Sequence, residues 1–187
     1  MDKSAKNLSY AVLSCLFAAL MAVGAFIAVP LPFSPVPIVL QTMFMLLAAL
    51  ILGPWWAGIS TLLYLLLGLI GLPVFSGGTG GPAAFLGPTG GYLAGYIPCS
   101  IVVGLIAGKA RNRRVILFLA CLAGMLPVYG LGVLRLKTVL DSGWDRAIAA
   151  GFLPFIPGDL IKSLVAALLA PKLSAGILSM PAGRPNG

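Results

Sequence analysis

Six long apolar runs, separated by short clusters of glycine, proline and charge, divide the chain at residues 8–29, 36–52, 55–72, 89–108, 115–134 and 152–170. A helix rises about 1.5 Å per residue, so about 20 apolar residues cross a hydrocarbon core of about 30 Å. Lys3 and Lys6 before the first run mimic a secretory signal. The run is too long for a signal core, however, and Ala28-Val29-Pro30 is a poor cleavage site, so the segment is read as a retained first span. Gly53-Pro54 ends one helix and starts the next, which predicts a tight hairpin of the second and third spans. The expected fold class is an all-α integral membrane protein with six transmembrane helices, one membrane domain over residues 1–187.

Composition agrees with that pattern. The chain is 60% hydrophobic and 9% charged, with a mean hydropathy of +1.08. These values exclude an ordinary soluble domain. Cytoplasmic flanks carry the Lys/Arg excess. An inside N-terminus places Lys3, Lys6, Lys109, Arg111, Arg113, Arg114, Lys172 and Arg184 on the cytoplasmic side, against Arg135, Lys137 and Arg146 outside. Both termini are therefore expected in the cytoplasm of a cell with this protein in its inner membrane. The net charge of +8 reads as a topology signal, and the basic cluster at 109–114 as an anchor facing lipid headgroups rather than a nucleic-acid patch.

Catalysis lacks its parts. Histidine and glutamate are absent from the sequence, no span pairs two carboxylates, and no metal-ligand cluster is present. Gly108-Lys109 is the nearest approach to a phosphate-binding loop, but Val103 stands at the first glycine position and Ala110 replaces the Ser/Thr. Cys15, Cys99 and Cys121 are isolated in separate spans and read as small apolar packing residues. No cofactor is expected.

Two charges contradict the apolar pattern. Asp159 and Lys162 lie inside the last run, three residues apart, and so share a helix face. A charge near the bilayer centre costs about 2.5–3.5 kcal/mol on insertion scales, which makes the pair a candidate binding site. The competing reading is a structural ion pair satisfied within the protein. Pro154 and Pro157 interrupt this segment, so its regular helix is expected from about Gly158, with its start sunk below the outer surface. A buried helix start favours an anion, while a carboxylate there can accept from ligand N–H groups.

The connection between the third and fourth spans, residues 73–88, is uncharged and rich in glycine and proline. Irregular backbone of this kind cannot face lipid. Counting crossings puts it at the outer end, beside Asp159 and Lys162, where its backbone and the side chains of Ser76 and Thr79 can line or cover a pocket together with Gly77 and Gly78. Gln41, Thr42, Ser60, Thr61, Tyr64 and Tyr92 are the other polar groups in spans, each available for a ligand or for helix–helix hydrogen bonding. Tyr92 follows the loop directly. Residues 135–150 carry apolar side chains at helical spacing among charges and predict a short helix lying at the outer interface. Small residues recur every fourth position at Ser14, Ala18 and Ala22, and again at Gly91, Gly95 and Cys99, which predicts close helix packing within the chain or against a partner.

Residues 72–95, LPVFSGGTGGPAAFLGPTGGYLAG, together with 152–162, FLPFIPGDLIK, and 35–42, PVPIVLQT, resemble the BioY family of biotin-specific substrate-binding subunits of energy-coupling factor (ECF) transporters. The resemblance covers nearly the whole chain and implies a six-helix S component that captures biotin from outside. It further implies that Asp159 and Lys162 bind the vitamin, that the glycine loop closes over it, and that Ala18 and Ala22 on the first helix meet a transmembrane coupling subunit served by two cytoplasmic ATPases. In that scheme the loaded subunit topples within the membrane to release its vitamin. Lys162 is expected on a charged group or the ureido oxygen, and Asp159 on a ureido N–H. A solitary proton-coupled carrier and a noncatalytic membrane scaffold remain alternative readings.

Overall fold

A computed structural model describes residues 3–109 and 113–178; Arg111 and Arg184 of the basic flanks lie outside them. The described chain is helical apart from one small hairpin. Helix α1 (Lys3–Phe26) is followed by strands β1 (Ala28–Leu31) and β2 (Ser34–Val39), then α2 (Gln41–Leu52) and α3 (Pro54–Leu69). A loop holding the short α4 (Pro82–Leu86) leads to α5 (Gly90–Gly108), α6 (Arg114–Leu140), α7 (Trp144–Gly151) and α8 (Ile156–Leu178).

The hairpin corrects two of the expected spans. Residues 28–29 and 36–39 pair as antiparallel strands, Ala28 with Val39 and Val29 with Ile38, instead of extending the helices on either side. The cause is local. Val29, Leu31, Ser34 and Val36 each precede a proline, which disfavours helical backbone at all four, and the prolines themselves supply no N–H to a helix.

Among the described residues four segments are long and apolar enough to cross a membrane: Ser4–Phe26, Gly90–Gly108, Arg114–Leu140 and Trp144–Gly176. Helices α2 and α3, with 12 and 16 residues, are apolar but shorter, rising about 18 and 24 Å. Six full-length spans are therefore not seen. Gly53, at φ 81°, makes the turn between α2 and α3, and Pro54 starts the next helix as expected.

Small residues set the helix spacing. A Cβ on Gly95 would lie 2.6 Å from Val128 Cα, and one on Gly104 would meet the backbone of the Gly53-Pro54 turn, so α5 is pressed against α6 and against the start of α3. Ser60 Oγ donates to Ser14 O at 2.8 Å and joins α3 to α1. Thr61 and Ser100 are 2.7 Å apart; Ser100 Oγ also lies 2.8 Å from Tyr96 O and can spend its one proton there, leaving Thr61 as donor between α3 and α5. Cys99 and Cys121 are buried packing residues with free thiols, and Cys15 is exposed.

The predicted interfacial helix is shorter than residues 135–150. Helix α6 continues to Leu140, the chain turns at Asp141 with φ 44°, and only α7 runs separately. Ala147, Ala150 and Gly151 form its buried side while Trp144 and Ile148 are exposed, a distribution suited to a bilayer interface. Helix α8 starts at Ile156, after a 3-10 turn at Leu153–Phe155, two residues earlier than expected, because Pro157 falls in the first turn where its missing N–H costs nothing. Its far end passes Pro171 and reaches Leu178 rather than stopping at residue 170.

Candidate functional site

The hairpin, the glycine-rich loop and the starts of α2, α5 and α8 converge at one end of the bundle, around a cavity of about 560 Å³ including its open mouth. Its walls are Val36, Pro37 and Val39 of β2, Gln41 and Thr42 of α2, Phe75 and Ser76 of the loop, Thr89, Tyr92, Leu93 and Tyr96 around α5, Met125, Val128 and Tyr129 of α6, and Phe155, Asp159 and Lys162 at α8. The lining is mostly apolar, with polar groups from several different elements.

Asp159 stands in the first turn of α8 and turns into the cavity wall. One carboxylate oxygen accepts from Lys162 Nζ and the other from the Tyr129 hydroxyl. Lys162 donates further to Val39 O at 3.0 Å and to Thr42 Oγ1 at 2.8 Å. The three ammonium hydrogens thus have three protein acceptors, on α8, β2 and α2. Both charged residues are buried, so each offsets part of the desolvation cost of the other, and the network ties three elements together.

Gln41 is the first residue of α2, only 2% exposed, and its Nε2 has no hydrogen-bond partner among the described residues. Its backbone position is fixed from behind: a Cβ on Gly24 would lie 2.9 Å from Gln41 Cα, so only glycine allows α1 this close. Tyr92 presents its ring to the cavity and commits its hydroxyl to Gly151 O at 2.7 Å, which locks α5 to the end of α7.

The loop is held by aromatic packing. Phe75 is buried, its ring lying over Gly68 where no Cβ intervenes, edge-on to Tyr64 at 5.5 Å and to Phe85 at 5.6 Å. Tyr64 donates to Val74 O at 3.1 Å, Gly81 N–H to Gly68 O at 2.7 Å, and Arg135 of α6 to Leu86 O at the end of α4. Gly77 and Gly78 adopt positive φ, 74° and 69°, in a turn closed by Gly78 N–H to Phe75 O at 3.0 Å.

The cavity brings together Asp159, Lys162, Tyr92, Gln41 and Ser76. Gly77, Gly78 and Thr79 do not line it; they form the turn that presents Ser76, and Thr79 Oγ1 donates to Ser76 O at 3.1 Å. The face of α1 expected to meet a partner runs inward: Ala18 is 2% exposed and Ala22 half-buried, on the same stripe as Ser14. Leu8, Val12, Leu16 and Val23 form its exposed side. Ala18 belongs to the core of the bundle, with Ala22 packed against it, and α1 contacts both α2 and α3.

Tyr129, Met125, Val128 and Phe155 line the site without having been singled out in the sequence. No local signal marks the first three inside a long apolar helix. The strand carrying Val36, Pro37 and Val39 did have one, in its alternating prolines.

The BioY family model matches residues 1–178. A biotin transporter BioY of Thermotoga maritima is 43% identical over 159 residues, covering 84% of this chain and 91% of that protein. One from Rhizobium etli is 40% identical over 180 residues, covering 91% and 96%. A crystal structure of the S-component for biotin from an ECF-type ABC transporter superposes with a TM-score of 0.86 at 30% identity, over 94% of this chain and 95% of that one. Sequence match and fold thus agree along almost the whole length, and this chain belongs to the BioY family.

Proposed function

We propose that this protein captures biotin for uptake across the cytoplasmic membrane, as the substrate-binding S component of an ECF-type transporter. The observation that carries the reading is the cavity itself, which sets a buried carboxylate with spare acceptor capacity into apolar walls. Biotin has matching chemistry, with two ureido N–H donors, an apolar ring and chain, and a terminal carboxylate. A carboxylate has about four acceptor positions and Asp159 uses two within the protein, so it can receive ureido N–H groups without breaking its pair with Lys162. Lys162 then acts mainly by fixing Asp159, β2 and α2. Tyr92 and Phe155 supply apolar surface for the ring and chain. Ser76, held by the Gly77-Gly78 turn and Thr79, contributes a hydroxyl for the carboxylate.

In this reading the short helices α2 and α3 complete six crossings, both termini are cytoplasmic, and the cavity opens outward. Energy comes from a transmembrane coupling subunit and two cytoplasmic ATPases, because the chain carries no nucleotide-binding loop. With Ala18 buried, a coupling subunit would engage the exposed side of α1 at apolar positions such as Val12 and Leu16, or reach Ala18 and Ala22 only after α1 moves.

Mass spectrometry of small molecules retained through purification, followed by titration with biotin, tests the proposal. Recovered biotin supports it, and consistent recovery of a different vitamin overturns it. Uptake in cells that persists without the ATPases but collapses with a protonophore would replace the ECF scheme with a solitary proton-coupled carrier.

A further inference from the structure

We infer that a second groove, between α6 and α8 on the reverse of the wall formed by Tyr129 and Asp159, is a binding site for one hydrocarbon chain of a membrane lipid. The inference is independent of the ligand proposed for the cavity. The groove measures about 500 Å³ counted to its open mouth. Its sides are Leu122 and Leu126 of α6 and Ile156 and Leu160 of α8, with Phe152 at one end. Met125, Tyr129 and Asp159 line both this groove and the cavity, so a partition one side chain thick separates the two. Tyr129 donates to Asp159 across that partition and meets the Phe152 ring edge-on at 4.8 Å.

The groove follows from where α6 keeps its small residues. Gly124 and Gly132 let Val103 and the Tyr92 ring of α5 lie where their Cβ atoms would be, so α6 is drawn onto α5. Toward α8 it presents leucines instead, which prop the two helices apart outside the Tyr129–Asp159 bond. Both helices lie in segments long and apolar enough to cross a membrane, and the rim stands clear of the bundle, Leu126 at 69% and Leu160 at 41% exposure. The medium at the mouth is therefore hydrocarbon. A lipid chain entering from it loses no hydration and gains the dispersion contacts that an empty slot forfeits. Water is a poor occupant, because it needs about two to four polar partners and the sides of the groove offer none. A partner's helix, about 10–12 Å across with its side chains, would cover the mouth without reaching the floor, where α6 and α8 are joined by the Tyr129–Asp159 bond. A seated chain packs on the back of Tyr129 and Asp159, so the bilayer supports the same two side chains that the cavity presents on its other face.

The test reconstitutes the full chain in vesicles of phosphatidylethanolamine and phosphatidylglycerol containing a trace of phosphatidylcholine with a photoactivatable diazirine in one acyl chain, and maps the labelled residues by mass spectrometry. Expected is several-fold more label at Leu126, Ile156 and Leu160 than at Leu119 and Leu164, exposed apolar positions of the same helices outside the groove. Leu122→Trp fills the groove from a residue that does not line the cavity, and is expected to remove that excess while label elsewhere stays at the wild-type level. Leu126→Trp, at the exposed rim, is expected to do the same and serves if Leu122→Trp does not fold. Leu119→Trp controls for a bulky ring elsewhere on α6 and is expected to change nothing. Label in the groove no higher than at Leu119 and Leu164 means an ordinary lipid annulus only and overturns the inference, as does an excess that survives the groove-filling variants. A groove left unlabelled in chains that cross-link into a dimer through α6 and α8 gives the face to a second copy and overturns it too.

Discussion

Lys162 and Thr42, 120 positions apart in sequence, are joined by a 2.8 Å hydrogen bond between α8 and α2. The same ammonium holds Val39 O on β2 and Asp159 on its own helix, so one side chain connects the hairpin, the start of α2 and the cavity-facing carboxylate. Thr42→Val keeps the shape and removes the acceptor. It is expected to lower stability by about 1.5–3 kcal/mol, the range for hydrogen bonds to charged groups, and to weaken biotin binding because Lys162 is freed to move. Thermal unfolding and ligand titration in the same detergent check both effects.

Removing one member of the Asp159–Lys162 pair leaves the other charge buried and unpaired. Asp159→Asn and Lys162→Met are each expected to destabilise by about 3–5 kcal/mol, and the double variant by clearly less than their sum. Binding should behave differently, being lost in the double variant along with the acceptor. A double variant that still binds biotin with wild-type affinity would show that the pair only supports the fold.

Gly132 does not line the cavity, but the Tyr92 ring lies where its Cβ would be. Gly132→Val is expected to displace that ring, strain the Tyr92 bond to Gly151 O, and cost about 1–3 kcal/mol by overpacking. Reduced biotin affinity from a residue that touches no ligand is the measurable outcome. Unchanged affinity would show that the ring's placement is unimportant for binding.

Phe75 plugs the glycine-rich loop into the bundle between Tyr64 and Phe85. Phe75→Ala is expected to cost about 3–5 kcal/mol and Tyr64→Phe, which loses only the bond to Val74 O, about 0.5–1.5 kcal/mol. Amide hydrogen exchange should accelerate across residues 73–88 in both, more in the first, while the α5–α6 contact stays protected. Equal exchange in the variants and wild type would mean that other contacts hold the loop.

Much of this was legible in the chain. The apolar runs located α1, α5, α6 and α8, Gly53-Pro54 located the α2–α3 turn, and the cost of two charges in an apolar run singled out Asp159 and Lys162. The loop's composition showed that it had to lie against protein or water. Hydropathy misread residues 28–29 and 36–39, because proline-alternating apolar sequence scores like a span while its backbone favours strand. Ala18 and Ala22 illustrate a further ambiguity: a small-residue stripe announces a close approach without saying whether the neighbour is in the same chain.

By itself the sequence determined that the protein lives in a bilayer, which segments are helical, and that charge sits where charge is expensive, since each depends on transfer free energies and backbone sterics of neighbouring residues. Which groups meet was decided only by the tertiary structure. Tyr129 reaches one oxygen of Asp159, Lys162 spends its hydrogens on Val39, Thr42 and Asp159, and Gln41 Nε2 is buried without a partner among the described residues. Hydrogen-bond saturation depends on groups brought together from far apart in the chain, and no local pattern encodes it.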